Sequence, residues 1–333
     1  MFSAFAAVTL SAAERTRPGS RARLTYPPPA MPTMTRADHA PDRRLSRIGV
    51  VVHPSRDVSE PLAGLGAWAQ SHGVDLVQVA VPGSGRHIAP EGAVADCDLV
   101  VSVGGDGTML AAVRASLDSG RPVLGIACGS LGVLTRTAPD AAGAALDAIA
   151  EGDWTTATLA GLRITGAGGR PLLALNDVAV VRAGVGQIRL TVRLDGTLYG
   201  RAAGDGAVVA TALGSSAYSL AAGGPVLALD NPGFVVTPLA AHGAGIPPLV
   251  AGPAARLELG VASGVGGARL ELDGQMFGES PERLAIELQR DVARVVTFPD
   301  DEPWVGVLRR RGLVRDSPRI LAEDDRVARR RSR

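Results

Sequence analysis

The 333-residue chain contains no lysine, so all 34 of its basic residues are arginine. Chemistry that needs a lysine is thereby excluded, from the Walker-A phosphate lysine to Schiff-base catalysis. Aromatics are scarce, with three Trp, three Tyr and five Phe, and that argues against base-stacking nucleic-acid modules. The two cysteines, Cys97 and Cys128, supply neither a disulfide framework nor a zinc site. They read as small buried hydrophobes in a reducing compartment, and a cytoplasmic location is expected. No run of 18 or more apolar residues is present, so no membrane span is expected. The opening FSAFAAVTLSAA resembles a signal-peptide core but has no positive segment before it. It reads as part of a disordered leader, with Met31 or Met34 as alternative starts.

The formal net charge of +1 conceals an uneven distribution. Residues 1–47 hold eight Arg against three acids, and residues 309–333 hold ten Arg against four acids. The ends therefore carry +5 and +6, and the stretch between them carries −10. An acidic body argues against a broad nucleic-acid-binding face. The Arg-rich ends could touch polyanions but read first as solvated tails on which the activity of the body does not depend.

At 46% hydrophobic and 20% charged, the chain is globular and long enough for about two domains. Residues 1–46 are rich in Pro, Arg, Ala and Thr without periodicity, and read as a disordered leader. From Arg47 short apolar runs (RIGVVV, VDLVQVA, CDLVVSV, PVLGIA) alternate with helical stretches at about 58–72, 108–118 and 139–151. This pattern predicts an α/β domain over 47–153 with a mainly parallel sheet. After Trp154 the segments LRITG, LLALNDVAVV, QIRLTVRLDG, AVVATA, FVVTPLA, ARLELG, ARLELDG, RLAIEL and ARVVTF read as strands separated by Gly, Pro and Asp-Gly turns. Only SSAYSLAAGG looks helical among them. A β-rich domain is expected over 154–302, with the ligand cleft between the two domains. A short returning helix and a basic tail are expected over 303–333.

The strongest motif is Gly104-Gly105-Asp106-Gly107-Thr108, directly after the strand DLVVSV. Glycines allow a sharp turn and let backbone N–H groups approach phosphate, while the helix that follows offers its positive end. Asp106 would project from this turn as a proton acceptor or a cation ligand. Thr108 alone would serve equally well as a helix N-cap. Asn176-Asp177 places two polar residues between apolar β-formers, where each needs a partner or costs about 1–3 kcal/mol. Asp205 lies between two glycines, and Gly214-Ser215-Ser216 opens a short helix with Ala217 and Tyr218 next in line. Ser215 or Ser216 would cap that helix. His242 is isolated in the sequence, and Asp273-Gly274-Gln275 reads as a hairpin turn.

Together these segments resemble the NAD kinase family, over about Arg47 to Leu308. GGDGTML at 104–110, PVLGIACGSLGVLT at 122–135, Asn176-Asp177, GDGAVVATALGSSAYSLAAGGPVL at 204–227, TPLAAH at 237–242 and Asp273-Gly274-Gln275 follow the family's order. GGDGT also occurs in lipid kinases, and the 204–227 stretch narrows the choice. The resemblance implies transfer of a phosphoryl group from ATP or polyphosphate to the 2′-hydroxyl of the adenosine ribose of NAD, giving NADP. It makes Asp106 the base and accompanies the donor with Mg²⁺ or another divalent cation; no metal ligand is assigned to the chain itself. Gly104, Gly105, Gly107, Thr108, Asn176, Asp177, Asp205, Ser216, Ala217, Tyr218 and His242 become binding residues. The partners implied are NAD and the donor, with neither nucleic acid nor membrane, and the resemblance implies a homo-oligomer. Departures from the family pattern are Asp177 for Glu, Ser216 for Thr, Ala127 for Asn, Val133 for Phe, and Thr211-Ala212-Leu213-Gly214-Ser215 for Thr-Pro-Thr-Gly-Ser. A dinucleotide-binding protein without turnover and, further off, a lipid kinase are the alternatives, and an assay for NADP separates them.

Overall fold

Apolar β-branched runs form the frame of the molecule. The computed structural model describes residues 45–83, 85–243 and 245–331, and all but the last two residues of the expected leader lie outside them. The first half reads β1 (Arg47–Val52), α1 (Ser59–His72), β2 (Asp75–Gln78), β3 (Leu99–Gly104), α2 (Asp106–Ser116), β4 (Val123–Ala127) and α3 (Ala142–Glu151). β1 pairs in parallel with β2 and β3, and β3 pairs in parallel with β4. Every residue of β3 and β4 is buried, as continuous apolar runs covered on both faces require. Leu65, Trp68, Leu146 and Ile149 of α1 and α3 pack on one face with Val50, Val101 and Ile126. Met109, Ala112 and Val113 of α2 pack on the other with Val51 and Val100.

The second half contains β5 (Thr155–Thr165), β6 (Leu172–Ala174), β7 (Asp177–Arg182), β8 (Ile188–Leu194), β9 (Thr197–Gly204), β10 (Gly206–Thr211) and α4 (Tyr218–Ala221). It continues with β11 (Phe234–Leu239), β12 (Leu249–Ala251), β13 (Arg256–Ala262), β14 (Ala268–Leu272), β15 (Gln275–Glu279) and β16 (Arg283–Thr297). Helices α5 (Trp304–Arg310) and α6 (Pro318–Arg331) follow. One sheet has the order β2-β1-β3-β4-β16-β13-β8-β9, with β5 paired to it at β16 and β6 paired to β5. The other runs β12-β11-β10-β7-β14-β15. Their inner faces share one core that includes Leu162, Val178, Ile188, Val209, Phe234, Leu257, Leu270 and Ile286. That is a β-sandwich.

Several expectations are corrected. RLAIEL and ARVVTF are one long strand, β16, with a bulge between Gln289 and Ala293 around Asp291 at φ 53°. LLALNDVAVV is two strands, β6 and β7, because the chain bends at Leu175–Asn176 and passes from one sheet to the other. The SSAYSLAAGG helix shrinks to a 3-10 turn at Gly214–Ser216 and the four-residue α4. The charged tail is helical over α6. The first sheet also runs through the break in sequence texture at 153/154, since β16 pairs with both β4 and β5.

Candidate active site

In the strand order β2-β1-β3-β4 the chain steps outward from β1 to β2 and then returns to the other side as β3. The carboxyl ends of β1 and β3 therefore flank a topological switch point, where open α/β sheets bind their ligands. A cavity of about 560 Å³ lies there, lined by His53, Pro54 and Arg56 after β1, by Gly105, Asp106, Gly107 and Thr108 after β3, and by Ser130, Gly132, Gln275 and Arg311.

Asp106 is the first residue of α2, with Gly105 at the N-cap in extended backbone (φ −112°, ψ −171°) and no side-chain cap. The helix thus opens two residues before the expected start. Thr108 is its buried third residue and not its cap. Gly104 ends β3, and its carbonyl accepts the Cys128 N–H at 2.9 Å.

The Asp106 carboxylate is fixed by the loop after β4. Oδ1 accepts the N–H of Leu134 at 3.0 Å and of Thr135 at 3.3 Å, plus the Thr135 hydroxyl at 3.3 Å. Oδ2 accepts the Val133 N–H at 3.0 Å and Arg311 Nη1 at 2.9 Å. The loop can come this close because residue 132 is glycine: a Cβ there would lie 2.0 Å from Asp106 Oδ1. Val133 contributes its backbone donor here, while its side chain packs with Val307 and Leu308. The family's Phe position is therefore filled by a smaller apolar residue. Ala127, at the buried end of β4, pairs with Gly104.

Asn176 and Asp177 sit at the bend between the sheets. Leu175, Asn176 and Asp177 all donate their backbone N–H groups to the Asp273 carboxylate, the first at 3.0 Å and the last at 3.1 Å. The Asp273 side chain is fully buried and also accepts from Arg114 of α2. Asp273 and Gly274 both have positive φ, 49° and 76°, as the expected Asp-Gly hairpin between β14 and β15 requires. The side chain of that turn residue ties the Asp106 helix to the Asn176-Asp177 bend. On the opposite side, Thr211 Oγ1 donates to the Leu175 carbonyl at 2.7 Å. Gly214 packs so tightly that a Cβ would lie 2.0 Å from the Asn176 carbonyl oxygen.

Asp177 is 4% exposed. Burial, followed by the charges of Asp273 and Glu271, pushes its carboxyl up to about 7. The Asn176 side-chain oxygen is buried without a hydrogen-bond partner among the described residues. Burial and then Glu271 raise the Tyr218 phenol, with Asp177 and Asp205 adding to the shift. These acids and the phenol therefore form one electrostatic neighbourhood. Asp205 pairs with Arg182 Nε at 2.6 Å and lines a shallow cavity with Tyr218 and Arg269. Ala217 and Tyr218 are exposed. Ser215 and Ser216 do not cap the short helix. Ser215 Oγ donates to the Ala212 carbonyl at 2.7 Å and accepts the Leu227 N–H at 2.9 Å, while Ser216 Oγ donates to the Leu213 carbonyl at 3.3 Å. His242 stands apart from both groups, bridged to Ala203 in a separate groove with Arg189, Arg201 and Arg283.

The geometry thus brings the glycine turn and Asp106 into one cavity, and links Asn176-Asp177 to it through Asp273 and Arg114. Family models for the ATP-NAD kinase N-terminal domain and the ATP-NAD kinase C-terminal domain match residues 67–154 and 175–290. The chain belongs to the NAD kinase family. The NAD kinase of Chlorobaculum tepidum is 34% identical over 236 residues, covering 68% of this chain and 82% of that protein. The NAD kinase of Acidobacterium capsulatum is 35% identical over 242 residues, covering 69% and 85%. The NAD kinase fold is also that of two solved structures. An NAD kinase from Archaeoglobus fulgidus in complex with ATP has a TM-score of 0.67 at 24% identity, covering 81% of this chain and 100% of that one. Yeast NADH kinase complexed with NADH has a TM-score of 0.66 at 19% identity, covering 80% and 87%.

Within this candidate site, Arg311, Arg114 and the capping role of Asp273 had no signal in the sequence. Arg311 belongs to an Arg-rich stretch that reads as tail, yet it touches Asp106. Its neighbour Arg310 donates to the Leu131 carbonyl at 3.1 Å and pairs with Glu302 at 2.9 Å. The expectation that the basic end is a solvated tail does not hold at Arg311, which contacts Asp106. The cysteines form no disulfide: Cys97 is buried and Cys128 partly so, and burial pushes both thiols up. Among the described residues no helix is long and apolar enough to cross a membrane.

Proposed function

We propose that the chain phosphorylates the 2′-hydroxyl of the adenosine ribose of NAD with ATP, giving NADP and ADP. The observation that carries this reading is the Asp106 carboxylate, oriented by three backbone N–H groups and one hydroxyl at the wall of the switch-point cavity. A base held by backbone donors keeps its orientation as the hydroxyl arrives. The hydroxyl proton passes to Asp106 Oδ2, its oxygen forms the new bond to the terminal phosphorus, and the bond from that phosphorus to the ADP oxygen breaks. Gly104, Gly105, Gly107 and Thr108, at the N-terminus of the 11-residue α2, meet the donor's phosphates with backbone N–H groups and the positive helix end. Asn176 and Asp177 hold the dinucleotide's ribose, with Asp205, Ser216, Ala217 and Tyr218 along the remainder of the dinucleotide. His242 lines a groove separate from the Asp106 cavity, and its role belongs to that groove. Residues 47–153 supply the phosphate turn and residues 154–302 the dinucleotide contacts.

No three His, Cys, Asp or Glu side chains converge as a metal cage among the described residues, and Asp273 is saturated by its own partners. The donor set fits a divalent cation that arrives on the donor's phosphates, and among the described residues Asp106 is the carboxylate that lines the cavity. Such a cation supplies charge neutralisation of the transferring group. Polyphosphate as a second donor, a homo-oligomeric assembly and a cytoplasmic location complete the proposal.

Purified protein given NAD, ATP and Mg²⁺ is expected to form NADP, and Asp106→Asn is expected to lower kcat at least ~100-fold. Failure of the parent protein to form NADP would overturn the reading.

A further inference from the structure

A kinase without lysine must still gather the negative charge of a nucleoside triphosphate. Among the described residues, two guanidinium groups line the Asp106 cavity, those of Arg56 and Arg311. Arg56 follows a turn whose N–H groups at Ser55 and Arg56 are held by His53 Nδ1 at 3.2 and 3.0 Å, and its Nη1 stands beside Gly105. Arg311 is different: its Nη1 lies 2.9 Å from Asp106 Oδ2, and its side chain is 44% exposed.

That contact bears on the chemistry. A carboxylate oxygen has two lone pairs, and both positions at Oδ2 are taken, one by the Val133 N–H and one by Arg311. Oδ1 is fully engaged with Leu134 and Thr135. Asp106 therefore has no free acceptor position for a substrate hydroxyl while Arg311 stays where it is. Arg311, in turn, is placed firmly by its segment. It closes α5, with its N–H donated to the Val307 carbonyl at 3.0 Å, and α5 is anchored by buried Val307 and Leu308 against Val133. Only the side chain is free to move.

We propose that Arg311 is an exchanging donor-phosphate residue. Without donor it occupies Asp106; when the donor's phosphates enter, its guanidinium transfers to them and uncovers Oδ2 for the ribose hydroxyl. The exchange is favourable because a triphosphate offers several charges and bidentate oxygen pairs against one shared carboxylate oxygen. The base is thus exposed only once the phosphoryl group is in place. This inference rests on the kinase reading above and extends it to a residue of the basic C-terminal segment.

The test uses full-length Arg311→Gln and Arg311→Lys. Arg311→Gln is expected to raise the KM for ATP at least tenfold while the KM for NAD stays within twofold and the melting temperature is unchanged. Arg311→Lys is expected to recover part of the lost ATP affinity. The competition itself has a separate signature in ATP binding titrated without NAD. Asp106→Asn releases Arg311, so it should tighten ATP binding several-fold, and Arg311→Gln in the same chain should abolish that gain. An ATP KM unmoved by Arg311→Gln, or equal rises in the KM for ATP and for NAD, would overturn the proposal. If the parent makes no NADP, the kinase reading fails, and the ATP titration still decides the exchange between Asp106 and phosphate.

Discussion

Asp177 shows how one buried side chain couples pH to stability. Its carboxyl is lifted from 3.8 to about 7, first by burial and then by Asp273 and Glu271. A folded pKa above the unfolded one means that the native state keeps a proton the unfolded chain has lost. Stability therefore falls as pH rises from about 4 to about 7 and levels off above. The lift corresponds to ~4 kcal/mol at most. Asp177→Asn keeps the shape and removes the charge, so it is expected to be more stable than the parent at pH 8. The gap should close as the pH approaches 4. Urea denaturation across that range measures both, and a constant gap would refute the assignment.

At the scale of elements, two loops of the candidate site are held by carboxylates capped with backbone N–H groups. Asp106 gathers the loop at 133–135, and Asp273 gathers the bend at 175–177. The second of these also joins α2 to the β14–β15 hairpin through Arg114. Asp273→Ala leaves three N–H donors and a partly buried guanidinium unmatched, and should cost about 3–5 kcal/mol. Arg114→Ala leaves Asp273 with its backbone donors and should cost less, about 1–3 kcal/mol. Because both act on one network, the double variant should cost clearly less than the sum of the two. Chemical denaturation of the four proteins reads this out, and strict additivity would rule out the coupling.

For the molecule as a whole, the C-terminal segment has two unlike parts. Helix α6 is exposed over its described side chains, and its ion pair, Arg319–Glu323, is internal. Ending the chain after Ser317 is expected to leave NADP formation intact and to shift Tm by no more than ~2 °C. Ending it after Pro303 removes Val307 and Leu308 from Val133 and takes Arg311 from Asp106. Loss of two buried aliphatic side chains costs roughly 2–5 kcal/mol each, so this truncation should lower Tm markedly and abolish turnover. Thermal denaturation together with the NADP assay distinguishes the two truncations.

Much of this was legible in the sequence. Local rules determine that RIGVVV, CDLVVSV and PVLGIA form buried parallel strands, because continuous β-branched runs need cover on both faces. They determine that a Gly-Gly-Asp-Gly turn opens a helix, and that Asp273-Gly274 makes a hairpin. Those signals depend on residues adjacent in the chain. β9, with its mixed TLYGRAAG sequence, carried no alternation to reveal it, and RLAIEL and ARVVTF concealed one strand behind a bulge. Tertiary structure alone decided that Arg311 reaches Asp106 across 205 positions, and that Asp273 caps a bend 96 to 98 residues away. Such pairings arise from the order in which strands enter the sheets and from which buried carboxylate needs donors. Composition placed the arginines in a tail, and packing of Val307 and Leu308 brought one of them into the site.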